Sequence, residues 1–165
     1  SLTSRDVLPT PTPDNSLPPR LIAFPGAQMS APVIPAGRVG GTWETRHLGD
    51  SVGHLVGTSW MGEAGGNIVL AGHVESATGA PGPFAHLFEA QLGDLVVLRD
   101  GTQEERYQVT LIQEVDPDDV SWLAQDGRPR VTMITCTEWD QKQKTYQGRL
   151  VVVAEPLVAT AQNPQ

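Results

Sequence analysis

From Leu21 onward, glycine, proline, aspartate and asparagine cut the chain into short apolar runs: LIAF, APVI, NIVLAGH, LVVL, RYQVTLI, RVTMITC and RLVVVAE. None reaches the ~10–12 residues of an ordinary helix, whereas strands need only about 4–8. This punctuation confines the fold to strands joined by turns, and 17 Gly and 14 Pro in 165 residues agree with it. In RYQVTLI, Tyr107, Val109 and Leu111 alternate with Gln108 and Thr110, the period-2 pattern of a half-buried strand. The run LVVVA has no polar position, as expected of a central strand. Asp100-Gly101, between LVVL and RYQVTLI, marks a hairpin turn. Helical signals are weaker. Residues 82–91 suggest one short helix with Phe84, Leu87 and Phe88 inward, and DPDDVSWLAQ a single turn. The expectation is an all-β barrel or sandwich of seven or eight strands, with one or two short helices.

The length is that of one domain able to bury a core. Residues 1–18 include Pro9, Pro11, Pro13 and Pro18 and read as an extended stalk or linker. Residues 19–157 hold the barrel and 158–165 a tail. A net charge of −8 argues against a nucleic-acid or anionic-membrane partner, both of which attract clustered Lys and Arg. No apolar run approaches the ~18 residues of a membrane span, and no signal-peptide h-region is present. The chain begins at Ser1, compatible with the removal of a targeting segment.

Cys136 is the only cysteine, so no intramolecular disulfide can form. It ends the RVTMITC run, in which Val131, Thr132, Ile134 and Thr135 are β-branched and suit a pleated strand. Three readings are open: buried filler, half of an intermolecular disulfide, or a nucleophile. A nucleophile needs a partner that supports the thiolate and protonates the leaving group, and histidine does both. Of His47, His54, His73 and His86, His73 ends the apolar run NIVLAGH, where side chains emerge at a rim. His86 falls in the possible helix, and His47 and His54 in turn-rich sequence. Acyl transfer also needs a donor where an oxyanion forms. Arg149 opens the last strand and would lie near Cys136 if the two strands pair. Asp116, Asp118 and Asp119 cluster in VDPDD, which reads better as a capped turn than as a calcium site. GEAGGN lacks the Lys and helix of a phosphate loop and reads as a turn.

In this order NIVLAGH, TMITC and GRLVVVAE resemble the sortases, cysteine transpeptidases of Gram-positive-type cell surfaces, here of the single-domain class D/E type. Their Thr-Leu-x-Thr-Cys strand is matched by Thr132 to Cys136 with Met133 in place of Leu, a volume-conserving change. The resemblance extends through GHLVGTSWMGEAGGNIVLAGH, GPFAHLFEAQLGD and VDPDDVSWL and covers roughly residues 19–157. It implies an eight-stranded sortase-type β-barrel in which Cys136 is the nucleophile, His73 the general acid/base and Arg149 the oxyanion-stabilising cation. It also suggests that Ala71, Thr132 and Ile134 floor a peptide groove. Val120 and Leu123 would then lie on a covering loop, with Trp139 as a wall.

The implied substrate is a Leu-Pro-x-Thr-Gly-type sorting signal of surface proteins, cleaved between Thr and Gly. The acyl group would pass to an amine nucleophile from peptidoglycan or a pilin, with no cofactor. The implied location is the extracytoplasmic face of the cell membrane, reached through an N-terminal anchor absent from this sequence. One rival is a papain-like cysteine hydrolase, but its Cys opens a helix and its His is oriented by Asn or Asp. The other is a catalytically silent extracellular barrel that binds a partner, with Cys136 as filler.

Overall fold

The structure, a computed structural model, describes residues 20–39, 42–75, 79–116, 119–136 and 149–157. The expected stalk, the tail, Asp118 and Trp139 lie outside the described residues. The strands are β1 Arg20–Phe24, β2 Met29–Ala36, β3 Arg38–Val39, β4 Thr42–Trp43, β5 Val52–Leu55, β6 Asn67–His73, β7 Leu95–Asp100, β8 Gln103–Val115, β9 Arg130–Cys136 and β10 Arg149–Pro156. Eight of them close a barrel in the order β1-β2-β5-β6-β9-β10-β8-β7, and β3 and β4 form a separate two-stranded ribbon. Closure removes the exposed edges that an open sheet would present for aggregation. The ladders β2–β5 and β6–β9 are parallel. A parallel pair needs a long crossover between its strands. The chain uses both crossovers to build the walls of its site.

The barrel interior is filled from alternate positions. Ile68 and Leu70 of β6, Val131 and Met133 of β9, and Val152 and Ala154 of β10 share one core with Ile22, Phe24 and Tyr107. Truncating a fully buried core residue such as Met133 should cost roughly 2–5 kcal/mol. All of β6 is buried, because β5 and β9 flank it and both its faces are covered; its sequence accordingly has no polar alternation. β10 pairs along both edges, with β8 and β9, as its unbroken apolar run requires.

The hairpin at Asp100-Gly101 is present, with Asp100 paired to Gln103 and Gly101 at φ 62°, where a side chain would be strained. Two sequence expectations fail locally. Leu111 is exposed rather than inward, because the β8–β10 register shifts between Val153 and Ala154. A β-bulge of this kind turns every later side chain onto the opposite face. In residues 82–91 the only helical element is a 3-10 turn at Leu87–Glu89. A 3-10 turn repeats every three residues, so Phe84 and Leu87 both face the core while Phe88, at 69% exposure, points away. The DPDDVSWLAQ segment gives the expected single turn, Ser121–Leu123.

Candidate active site

β6 and β9 run parallel in unbroken register, from Asn67 opposite Arg130 to His73 opposite Cys136. The two sequence candidates thus end neighbouring strands at one rim of the barrel. β10 runs antiparallel to β9, with Val151 opposite Ile134 and Val152 opposite Met133. Arg149 opens β10 two residues before Val151, and Cys136 ends β9 two residues after Ile134. Between them the Leu150 N–H donates to Thr135 Oγ1 at 3.1 Å, which holds the strands together up to the rim. Arg149 is partly buried, and its Nε is fully shielded with no hydrogen-bond partner among the described residues. A buried donor without an acceptor is costly and rare. Here it lies on β10, the strand paired with the one that Cys136 ends.

His73 is 9% exposed and held from two sides. Its Nε2 donates to the Thr45 carbonyl at 2.8 Å. Its own carbonyl accepts from the Phe84 N–H at 3.0 Å, while the Gly82 N–H reaches the Val74 carbonyl at 2.9 Å. The other histidines are occupied elsewhere. His54 packs against Trp60 with ring centroids 5.0 Å apart, and burial pushes its pKa down. His47 meets the Pro35 carbonyl, and exposed His86 pairs with Glu89 at 3.0 Å.

The outer face below this rim is apolar. Val69 and Ala71 of β6, Ile134 of β9, Val151 of β10 and Val115 of β8 form a second cluster outside the barrel. Two crossovers cover it: the β3–β4 ribbon contributes Trp43, and the β8–β9 connection contributes Trp122 and Leu123. Of the groove residues expected from the sequence, Ala71, Ile134 and Leu123 meet in this cluster. Thr132 is buried beside it and lines a cavity of about 400 Å³ under the β8–β9 connection, with Trp122, Val151, Val153 and Arg128. Val120 is exposed. Trp122 covers the face instead, its indole N–H fixed by the Asp119 carbonyl.

A buried polar network straps this connection to the barrel. Asn67 Nδ2 donates to the Trp122 and Ala124 carbonyls at 2.9 and 3.1 Å, and its Oδ1 accepts from Thr132 Oγ1 at 2.7 Å. Gln125 bonds Ser59 Oγ and the Asn67 backbone N–H and carbonyl. Arg130, buried at the start of β9, donates to Asp126 at 2.7 Å and to the Ala124 carbonyl at 2.9 Å. That guanidinium, followed by the Arg128 N–H, holds the Asp126 carboxyl down at about 2. At Gly66 a β-carbon would come within 2.6 Å of the Arg128 carbonyl, so the GEAGGN turn is a close-packing point of this strap. Asp119 serves as a turn cap, accepting from the Ser121 N–H and hydroxyl. Among the described residues no group of three or more His, Cys, Asp or Glu could hold a metal ion. Asn67, Trp43 and Thr45 are the residues that the sequence did not single out, whereas Trp122 lies within the expected covering stretch, residues 120–123.

A closed eight-stranded barrel carrying thiol, imidazole and guanidinium residues on three adjoining strand ends defines a structural class, and comparison with known proteins agrees with it. The Sortase domain family model matches residues 22–157. A Sortase A of Bacillus anthracis is 36% identical over 95 residues, which are 58% of this chain and 42% of that protein. A Sortase A of Staphylococcus aureus is 33% identical over 91 residues, 53% of this chain and 43% of that protein. The matched part therefore spans less than half of these relatives. Among solved structures, sortase C-1 from Actinomyces oris superposes with TM-score 0.67 at 31% identity, covering 84% of this chain and 72% of that one. A lid mutant of sortase A from Corynebacterium diphtheriae gives TM-score 0.67 at 26% identity, covering 84% and 69%. The chain belongs to the sortase family.

Proposed function

We propose that this chain is a working transpeptidase that cleaves a Leu-Pro-x-Thr-Gly-type sorting signal between Thr and Gly. The observation that carries the reading is the register of His73 and Cys136, which end adjacent parallel strands as a pair. Along β9 the period-2 alternation runs from Thr132 through Ile134 to position 136, so the reactive position continues the groove floor. An extended peptide running past Trp43 and Trp122, which pack over buried Ala71 and Ile134, would bring its Thr carbonyl to that rim.

The Cys136 thiolate attacks this carbonyl carbon, forming a C–S bond as the carbonyl electrons move to oxygen. The Arg149 Nε–H, without a partner among the described residues, offers the donor for that oxyanion. As the C–N bond breaks, His73 gives its proton to the departing glycine amine, which leaves a thioester on Cys136. An acceptor amine from peptidoglycan or a pilin then attacks the thioester, returns a proton to His73 and releases the thiolate. Thiol, imidazole and guanidinium supply every group these steps need, so the mechanism uses no metal or cofactor. Its place of action is the extracytoplasmic side of the membrane, where sorting signals and acceptor amines meet.

The test is cleavage of sorting-signal peptides with and without a small acceptor amine, followed by chromatography. The reading expects an amine-linked product from the wild type and no cleavage by Cys136→Ala. Release of the glycine fragment by Cys136→Ala would overturn it.

A further inference from the structure

The His73 ring is held by an atom that can only accept. Its Nε2 lies 2.8 Å from the Thr45 carbonyl oxygen, and a carbonyl has no proton to give. The nitrogen facing it must therefore bear hydrogen whether the ring is neutral or charged. The segment that presents this carbonyl is itself anchored. Trp43 Nε1 donates to the Val56 carbonyl at 3.1 Å, and the Glu44 N–H donates to the Gly37 carbonyl at 2.7 Å. The Thr45 carbonyl also accepts the Leu48 N–H at 3.2 Å. Both of its lone-pair directions are thus used, and its orientation is set from both ends of the turn.

We propose that the Thr45 carbonyl is a positioning group of the active site, fixing His73 as the Nε2–H tautomer so that Nδ1 is the nitrogen that exchanges protons with substrate. The proposal rests on reading His73 as the general acid/base and adds which atom does the work and what sets it. In acylation, Nδ1–H passes its proton to the glycine nitrogen as the C–N bond breaks, and the ring is left neutral with Nε2–H still on Thr45. In the second half-reaction Nδ1 takes a proton from the incoming amine as the new C–N bond forms. Without the Thr45 acceptor the neutral ring would divide between two tautomers, one of which carries its proton on the wrong side. A backbone carbonyl does this without adding a titratable group, unlike the buried carboxylate of a Ser-His-Asp triad.

The molecule contains its own contrast. His47 and His54 also turn Nε2 toward carbonyls, of Pro35 and Ser59. His86 instead presents Nδ1 to the Glu89 carboxylate at 3.0 Å. Long-range proton–nitrogen correlation spectra of the full chain with nitrogen-15-labelled histidine, at alkaline pH where imidazole is neutral, read the tautomers directly; His73→Gln assigns the signal. The expected pattern at His73 is a protonated Nε2 and a bare Nδ1, with the opposite pattern at His86. A bare Nε2 at His73, or an averaged signal, would overturn the proposal.

Methylated histidines introduced at position 73 supply the functional arm. Nδ1-methylhistidine keeps the Thr45 bond but blocks proton exchange, and its peptide cleavage should fall to the level of His73→Gln. Loss of a general acid typically costs ~10²–10⁴ in rate. Nε2-methylhistidine loses the bond to Thr45 but leaves Nδ1 free, and should stay at least about tenfold above that level. The reverse order would overturn the assignment of Nδ1. Full activity of His73→Gln would instead overturn the reading of His73 as acid/base, while the spectra would still decide the tautomer.

Discussion

Gly82 lies so close to His73 that a β-carbon at position 82 would sit 2.2 Å from the His73 carbonyl oxygen. The close approach is backbone on backbone, so no flexible side chain can give way. Gly82→Ala should therefore displace the end of β6 and the imidazole with it. Displacements of about 1 Å at a reacting group can cost around 10² in rate. The expected result is a loss of about that size in kcat, with a smaller change in KM, measured by steady-state peptide cleavage. An unchanged kcat would show that the His73 backbone can move freely.

Asn67→Ala should act on the groove and on stability together. It removes the donor for the Trp122 and Ala124 carbonyls and strands the Thr132 hydroxyl. Leaving buried polar groups unpaired costs about 1–3 kcal/mol each. Urea unfolding should register a loss of several kcal/mol, and KM should rise because the Trp122 wall is no longer strapped to β6. Asn67→Asp keeps the acceptor for Thr132 but sets a buried carboxylate against the Trp122 and Ala124 carbonyls, and should be at least as destabilising as Asn67→Ala.

These two positions also mark what the sequence does and does not reveal. The rim was legible because it is built from runs: NIVLAGH and RVTMITC end in His73 and Cys136, and two buried strands placed side by side bring their ends together. The anchors were not legible. Asn67 stands at the start of an apolar run, where it looks like the turn residue that bounds a strand, and only the fold brings Trp122 and Ala124 to it. Thr45 acts through its carbonyl, which every residue possesses, so no residue type signals it. Leu111 was misplaced because a bulge changes the parity of a strand with no mark in its alternation, and Phe88 because a 3-10 turn and an α-helix share the same short apolar spacing.

The Asp126–Arg130 pair should make stability fall at low pH. The folded-state pKa of Asp126, about 2, lies below the ~3.9 of an unperturbed aspartate. A lowered pKa adds stability that is fully present above the unfolded value and is lost as pH falls through the folded one. The loss should therefore run from about pH 4 to about pH 2. Asp126→Asn should flatten that part of a denaturation-midpoint-against-pH curve. The pair is solvent-accessible on the Asp126 side, so raising the salt concentration should shrink the difference.

Arg149→Lys should be far from conservative. The atom without a partner among the described residues is Nε, which lysine lacks, and a point ammonium cannot reproduce a planar forked donor. Loss of one oxyanion donor commonly lowers turnover by ~10²–10³. Stability should change little, because the shielded Nε has no partner to lose among the described residues. Turnover within a few-fold of wild type would assign Arg149 to an ordinary strand-end role.

The central claim is that Cys136 carries the acyl group, and intact-mass spectrometry of the protein mixed with a sorting-signal peptide, without acceptor amine, tests it most directly. The account predicts a mass increase equal to the Thr-terminated peptide fragment less one water, as acylation of the thiol requires. The adduct should map to Cys136, be released by hydroxylamine as a thioester is, and be absent from Cys136→Ala. Cleaved peptide with no adduct on the wild type, or the same cleavage by Cys136→Ala, would contradict it.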